Sequence, residues 1–348
     1  MPKVLYFTEL DINNKSGGSF AAKRDYKILK ESFDVEFLDI HINENKSKIK
    51  KLIDLFTSDN RILFSLSESR RIKKIIKNSD AEVLVLESSL LGNYAKYAKK
   101  CGKKVITYFQ NCEYKLFKAC RSKFWYSAVK HIEGLAVEHS DIILALNDRD
   151  SNDIKEIYNA DMKKIDYYPV SMDDKFISDY KYNEEKYGLF LGSWFKPNVE
   201  AVDYIVNEIQ NKINIKIKIV GKGFEQYKTD AKNVEVVGTV DDLSSYILNA
   251  SFMIFPVFDG SGMKVKTCES MMYGKTIIGT KEAFMGYKKA DKHMICCDTK
   301  EEFVSAINNF DYDVNQKFNK EVRDIWLNNY SYDVVKTKLI ESVNKLLK

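Results

Sequence analysis

Long apolar runs are missing from this chain. Its apolar segments are short and interrupted by Lys or Asp, so none approaches the roughly 20 residues that a membrane-spanning helix needs. Cysteine is scarce and poorly spaced for a cross-linked or metal-bound scaffold. Cys101, Cys112, Cys120, Cys268, Cys296 and Cys297 form no CxxC pair, and the adjacent Cys296-Cys297 suits neither a disulfide framework nor a zinc site, so reduced thiols are expected. The four histidines, His41, His131, His139 and His293, fall in no HxH or HxxxH arrangement, which excludes a histidine-rich metal centre. Internal repeats and low-complexity tracts are absent as well. The opening Met1-Pro2-Lys3-Val4-Leu5-Tyr6-Phe7 lacks the longer apolar core and small-residue cleavage site of a secretory signal, and a cytoplasmic location is expected.

What is present describes an ordinary globular protein of some size. At 348 residues the chain is about twice a typical single domain, so two domains are expected, each with its own core. Hydrophobic residues make up 45% and charged residues 30%. The net charge of +5 is unevenly spread. Residues 1–150 hold 27 Lys+Arg against 20 Asp+Glu, a balance of +7, whereas 151–348 hold 28 against 30, a balance of −2. The excess concentrates between residues 51 and 130, with 17 Lys+Arg and 7 Asp+Glu. Such a patch fits an anionic partner, whether a membrane surface, a phosphorylated substrate or a nucleic acid, and equally a solvated helix face. It holds no recognisable nucleic-acid-binding motif, so no nucleic-acid partner is expected.

Short apolar runs alternate with helical periodicity through both halves. Val4-Leu5-Tyr6-Phe7 reads as a buried strand, Phe20 to Ser32 as a helix and Val35-Glu36-Phe37-Leu38 as the next strand, a βαβ unit. The pattern returns as strands at 81–87, 104–109 and 141–146, with a helix through Tyr94 to Lys100. A stretch rich in Asp, Lys, Ser and Tyr over 171–186 reads as a linker. A second series follows, with strands at 187–191, 215–220, 234–237, 252–255 and 276–279 and helices over Asn198–Gln210 and Leu243–Leu248. Continuous apolar strands between helices imply parallel sheets covered on both faces. The expected organisation is a domain over 1–170, a linker over 171–186, a domain over 187–330 and a C-terminal helix over 331–348 that returns to the first domain. Two doubly wound domains joined in this way put a cleft between the carboxyl edges of their sheets, where such folds bind ligands.

The segment richest in chemistry runs from Phe255 to Ile278. A strand leads into Gly260-Ser261-Gly262, a helix follows Met263 and ends at Gly274, and a strand comes next. The start of such a helix offers unpaired backbone N–H groups, and the glycines let a phosphate approach them closely. Lys264 and Lys266 add positive charge. Lys266 and Glu269 are three apart and share a helix face, pairing a cation with a carboxylate able to accept two hydroxyl hydrogen bonds. A nucleoside diphosphate needs that pair: a cation for the diphosphate and a carboxylate for the ribose. Taken singly, each glycine cluster also reads as plain structure. Gly260-Ser261-Gly262 and Gly221-Lys222-Gly223 are then turns, and Gly17-Gly18 is a loop with Ser19 as helix cap. Gln110, Asn111 and Glu113 follow the carboxyl end of a strand, where ligand contact and loop structure are both open.

From Gly260 to Gly279 the chain resembles the signature of the retaining GT-B glycosyltransferases of family 4, the glycosyl transferases of group 1: a Gly-rich turn, a Lys or Arg, a Glu, a small-residue helix, Gly and a β-strand. The resemblance extends over most of the chain. Phe190-Leu191-Gly192-Ser193-Trp194-Phe195-Lys196-Pro197-Asn198 looks like the opening of the family's donor domain. Ile219-Val220-Gly221-Lys222-Gly223 and Val237-Gly238-Thr239-Val240 look like the strand and loop that line the nucleobase. Ser16-Gly17-Gly18-Ser19 is similar to the glycine loop after the first strand, and Phe109-Gln110-Asn111-Cys112-Glu113 to the His-Asn-x-Glu segment. Three positions depart from the pattern. Ser261 stands eight before Glu269, where the family's Glu-x7-Glu pair has its first Glu; Gln110 replaces His, and Ser193 replaces the usual Arg.

The resemblance implies an α/β protein of GT-B fold, two Rossmann-like doubly wound domains facing a central cleft. It implies transfer of a sugar, with retention, from a nucleotide-sugar donor to a glycan or lipid-linked glycan acceptor in surface polysaccharide biosynthesis. Lys264, Lys266 and Gln110 are then the catalytic residues. Glu269, Gly260, Ser261, Gly262, Met263, Gly221, Gly223, Thr239, Val240 and Lys196 bind the donor, and Gly17, Gly18, Asn111 and Glu113 form an acceptor or phosphate loop. The nucleotide-sugar is a substrate, so no cofactor is expected. No metal is expected either: Asp173-Asp174 lies in the linker and Asp241-Asp242 is adjacent rather than spaced, so neither pair has the Asp-x-Asp spacing. Between Tyr114 and Lys130, lysines and aromatic residues interleave as in an interfacial segment, which would hold the enzyme peripherally on the anionic inner face of a membrane. Two alternatives stay open: a GT-B sugar-nucleotide epimerase, which calls for paired acid/base carboxylates or a His, and a non-catalytic GT-B-like partner protein, to which Ser261, Gln110 and Ser193 point.

Overall fold

The computed structural model describes residues 1–10, 17–38 and 66–347. Ser16 of the expected glycine loop and residues 51–65 of the basic stretch lie outside them. The chain divides into two compact units, Met1–Pro169 with Val335–Lys348, and Val170–Val334.

The first unit runs β1 (Lys3–Phe7), α1 (Gly17–Ser32), β2 (Asp34–Leu38), α2 (Leu66–Asn78), β3 (Val83–Leu86), α3 (Gly92–Lys100), β4 (Lys104–Phe109), α4 (Glu113–Cys120), α5 (Lys123–His139), β5 (Ile142–Ala145), α6 (Asp148–Tyr158) and β6 (Ile165–Tyr167). Its strands form one parallel sheet in the order β2-β1-β3-β4-β5-β6. Val83 to Leu86 are all buried because helices cover both faces, which is why the strand reads as an unbroken apolar run. Leu5, Phe7, Leu84 and Leu86 pack against Tyr94, Ala95 and Ala98 of α3, residues spaced three or four apart and therefore on one helix face. At Gly92 a Cβ would lie 2.0 Å from the carbonyl of Ile132, so α3 and α5 meet at backbone distance. The order of strands reverses between β1 and β3, and this switch point is where such sheets open a ligand crevice at their carboxyl edge.

Two expectations change here. Helix α1 begins at Gly17, so Ser19 is not a cap but a buried residue of the first turn, 2% exposed. Strand β6 occupies three residues where no strand was expected; they are only half-buried, so their burial leaves no apolar signature.

The second unit contains β7 (Tyr187–Leu191), α7 (Lys196–Tyr204), β8 (Lys216–Val220), β9 (Val234–Gly238), α8 (Leu243–Asn249), β10 (Phe252–Phe255), α9 (Val265–Met272), β11 (Ile277–Gly279), β12 (Met294–Cys296), α10 (Lys300–Asn308) and α11 (Lys320–Asn329). The parallel order β12-β11-β10-β7-β8-β9 has its switch point between β7 and β10. Helix α7 starts two residues before the expected Asn198, with Pro197 in its first turn, where a missing N–H costs nothing. Beyond Tyr204 it continues through a wider turn in which Gln210 N–H reaches Ile205 O. Asp242 caps α8, accepting hydrogen bonds from Ser244 and Ser245, which gives the Asp241-Asp242 pair a structural role. The unexpected strand β12 is three residues long with only Met294 buried.

The stretch 171–186 is not a free linker but part of this unit. Arg323 pairs with Asp174, and Lys317 Nζ donates to the carbonyls of Asn183 (2.8 Å) and Glu185 (2.6 Å). A last helix, α12 (Tyr332–Leu347), joins the first unit from Val335 onward. There Lys345 pairs with Asp166 at 2.9 Å and Lys336 with Glu31 at 2.6 Å.

Candidate active site

In the second unit, Phe255 at the end of β10 stands opposite Gly279 at the end of β11, so the loops leaving these strands run side by side. The first loop carries Gly260-Ser261-Gly262 and enters α9; the second carries Thr280 to Tyr287. Thr267 Oγ1 donates to Ala283 O (2.8 Å) and Tyr287 OH to Lys264 O (2.9 Å), which fixes the start of α9 against the second loop. Lys264 occupies the N-cap position, and its side chain, having no acceptor, does not cap the first N–H groups of the helix.

The two lysines differ in what surrounds them. Lys266 Nζ donates to Asn198 Oδ1 at 2.7 Å and stands 4.4 Å from the centre of the Phe190 ring and 5.4 Å from that of Phe255. Those rings close the ends of β7 and β10, placing the ammonium at the switch point of the sheet. Burial, aided by the nearby charge of Lys264, brings its pKa down to about 7. Lys264 Nζ instead lies 2.6 Å from Glu282 Oε1 and 3.3 Å from the carbonyls of both Ser261 and Gly262. Glu269, one turn after Lys266, is pushed above the usual carboxylate range by burial, with Lys175 acting in the opposite sense.

The other expected donor residues fall into two groups. Gly221 takes a φ of 148°, and a Cβ there would lie 1.8 Å from Gly192 O, so only glycine fits. Its N–H donates to Gly238 O at 2.8 Å. Glu225 Oε2 accepts from Gly223 N–H (2.9 Å) and Thr239 Oγ1 (3.2 Å), tying together the loops that follow β8 and β9. A Cβ on Gly192 would in turn touch the Asn198 side chain at 2.8 Å, so the Gly221 turn, Gly192, Asn198 and Lys266 form one contiguous wall. Gly260, Ser261 and Thr239 are exposed, Val240 is half-buried and Met263 is buried. Lys196 stays in solvent, 3.6 Å from Glu200, and Asn198 two residues later reaches Lys266 in its place. Asn198, Glu225 and Glu282 were not singled out from sequence. Asn198 reads from sequence as the start of a helix, and the other two act through contacts 14 and 18 residues away.

In the first unit the expected residues gather at the carboxyl edge of the sheet. A Cβ on Gly18 would lie 2.8 Å from Gln110 Oε1, and Gln110 Nε2 approaches Glu87 Oε1 at 3.3 Å. Glu87 also accepts from Tyr6 OH at 2.9 Å, and burial raises its pKa well above the carboxylate range. Asn111 Nδ2 donates to Glu113 Oε1 at 3.3 Å. The Glu113 carboxyl is raised to about 7 by burial first and then by the negative charge of Glu133, with a smaller push from Glu9. Glu133 is sealed from water and accepts from Ser89 Oγ, Glu113 N–H, Tyr114 N–H and Tyr158 OH at 2.7–3.0 Å, which caps α4. Glu9 is raised by burial as well.

Residues 185–310, all in the second unit, match the family model described as glycosyl transferases group 1. The second unit carries a group 1 glycosyl transferase domain. The matched residues include the glycine turn, Lys266 and Glu269. The whole chain is similar in structure to HepE of Anabaena in complex with UDP (9% identity, TM-score 0.69, 99% of this chain and 100% of that one). It is likewise similar to a sucrose-phosphate synthase from Thermosynechococcus elongatus (11% identity, TM-score 0.70, 99% of each chain). A third likeness is to the lipopolysaccharide outer core galactosyltransferase WaaB (12% identity, TM-score 0.62, 97% of this chain and 98% of that one). At such identities the likeness speaks for fold, and the fold is GT-B, with two parallel six-stranded sheets flanked by helices. No curated protein matches the chain by sequence. Among the described residues no helix is long and apolar enough to cross a membrane, and no group of three His, Cys, Asp or Glu side chains is placed to hold a metal ion.

Proposed function

We propose that the chain is a retaining glycosyltransferase that moves a sugar from a nucleotide-sugar to a glycan or lipid-linked glycan acceptor in surface polysaccharide assembly. One observation carries the reading: the Lys266 ammonium, enclosed by Phe190 and Phe255, lies in the first turn of α9, directly after the glycine turn and one helical turn before Glu269. Breaking the bond between the anomeric carbon and the diphosphate builds charge on the leaving phosphate. An enclosed cation beside a helix N-terminus stabilises that charge without a metal, more strongly than it would in water. Glu269 accepts the ribose hydroxyls. In same-face transfer a donor phosphate oxygen takes the acceptor proton, so no carboxylate pair is required, unlike in glycosidases. Gln110, Asn111 and Glu113 contact the acceptor.

The HepE complexes with UDP and UDP-glucose make a uridine nucleotide the first donor to try. Titration calorimetry with UDP on the wild type and on Glu269→Gln tests the site. The variant should bind about 1.5–3 kcal/mol more weakly, the range for a hydrogen bond to a charged group. Unchanged affinity would remove Glu269 from the site. The helices α4 and α5 pack on each other and expose Leu116 (40%) and Phe124 (50%) among Lys115, Lys118, Arg121 and Lys123, which supports peripheral attachment to an anionic membrane.

A second reading, an epimerase acting on the same donor, draws on the interacting Glu9 and Glu113 carboxyls, one of them titrating near neutrality. Incubating donor without acceptor separates the two: an epimerase releases an isomerised nucleotide-sugar, and a transferase releases free sugar and nucleoside diphosphate slowly.

A further inference from the structure

Glu282 belongs to none of the sequence motifs, yet it lies beside the glycine turn. The parallel ends of β10 and β11 bring the two loops together, and Glu282 Oε1 takes a 2.6 Å hydrogen bond from Lys264 Nζ. That oxygen is 3.9 Å, and the ammonium 3.1 Å, from where a Cβ on Gly260 would stand. The two side chains keep 12% and 14% of their exposure, so the pair is enclosed but within reach of a ligand.

Charge decides what such a pair can bind. It is neutral overall, so Lys264 contributes little of the positive potential that a diphosphate requires; that demand rests on Lys266 and the first N–H groups of α9. A carboxylate beside an anion site would repel the diphosphate were it not paired. It is suited to hydroxyl groups, from which it accepts hydrogen bonds while the ammonium donates them. The hydroxyl-bearing group attached to the outer phosphate of the donor is its sugar. Ser261 offers no carboxylate, and that of Asp259, just before the turn, accepts from Gly260 N–H at 2.7 Å.

We infer that Glu282, held by Lys264, binds the hydroxyls of the donor sugar and determines which sugar is accepted, a role that rests on the donor site proposed above. The test compares two ligands on the full chain: whichever of UDP, GDP and ADP binds the wild type most tightly, and its glucose ester. Calorimetry at pH 6.0 keeps Lys266 protonated in the free protein. Glu282→Gln should leave the affinity for the nucleoside diphosphate unchanged or raised, since it uncovers the charge of Lys264, and weaken the glucose ester relative to the diphosphate by about tenfold or more, the effect of losing hydrogen bonds to a charged group. In a Glu282→Ala background, Ser261→Glu should restore part of the lost affinity for the ester by supplying a carboxylate from the turn. Equal losses for both ligands, or no loss for either, would overturn the inference, as would a Ser261→Glu variant that restores nothing. Glu282→Gln is nearly isosteric, and its unfolding midpoint shows whether the loop has kept its structure. A wild type that binds no ligand of either kind would instead overturn the donor site itself.

Discussion

Lys266 gives the proposed site a pH dependence that can be worked out in advance. In the free protein its pKa is brought to about 7, mainly by burial. A bound diphosphate favours the ammonium form and raises that value, so binding takes up a proton wherever free Lys266 is neutral. The sign follows. Below pH 7 the lysine is already charged and affinity is flat; above it, each unit of pH weakens binding by up to tenfold until the raised pKa of the complex is reached. A one-site titration with a free-state pKa of 7 gives a Kd at pH 8 about tenfold weaker than at pH 6, or about 1.4 kcal/mol, and an uptake of about 0.9 proton per ligand at pH 8. UDP-glucose is a suitable ligand because both its phosphates are esterified and neither titrates in this interval. Calorimetry in buffers of different ionisation enthalpy reads affinity and proton uptake together. Lys266→Arg keeps its charge throughout and should flatten the profile. Glu269 and the ligand are common to both proteins, so the difference in slope belongs to Lys266. A wild-type affinity that does not change between pH 6 and 8, or a proton released on binding, would refute the placement of the diphosphate at this ammonium.

Three further outcomes are expected. On the proposed mechanism, in which the helix terminus and Lys266 meet the charge of the leaving group, transfer should keep its rate in excess EDTA; loss of activity rescued by Mg²⁺ or Mn²⁺ would contradict it. The chain should co-sediment with vesicles containing an anionic phospholipid and release as salt rises, and Leu116→Ser with Phe124→Ser should weaken this by removing apolar anchors; equal sedimentation with neutral vesicles would rule out charge-driven attachment. Gly92→Ala should lower the unfolding midpoint, because a Cβ 2.0 Å from Ile132 O meets backbone rather than a movable side chain. Its cost should reach or exceed the about 1–3 kcal/mol usual for overpacking, and an unchanged midpoint would show that α3 and α5 can separate freely.

Much of the fold was legible before any coordinates. Parallel strands buried on both faces must be apolar along their whole length, so Val83–Leu86 and Phe252–Phe255 announce themselves, and the glycine turn announces the start of α9, the helix that carries Lys266 and Glu269. Where burial is partial the signal fades, as in β6, β12 and the first turn of α1, where a serine that resembles a cap is instead buried. The stretch 171–186 has the composition of a linker because its ties are made by backbone carbonyls and by Lys317 and Arg323, which leave no pattern in the stretch itself.

By itself the sequence determined most of the strands and helices, the alternation that makes the sheets parallel, and which helix carries the cation and carboxylate, since these signals lie among neighbours within a few residues; the half-buried β6 and β12 escaped it. Only the tertiary structure decided how each cation is used. Lys264 and Lys266 are two residues apart and chemically alike, yet one meets Glu282 from the loop after β11 and the other meets Asn198 and two aromatic rings at the ends of β7 and β10. Those partners are set by strand order and by the register that aligns the carboxyl ends of non-consecutive strands. The local environment of an ammonium fixes its charge and its role, and that environment is assembled from segments that lie far apart along the chain.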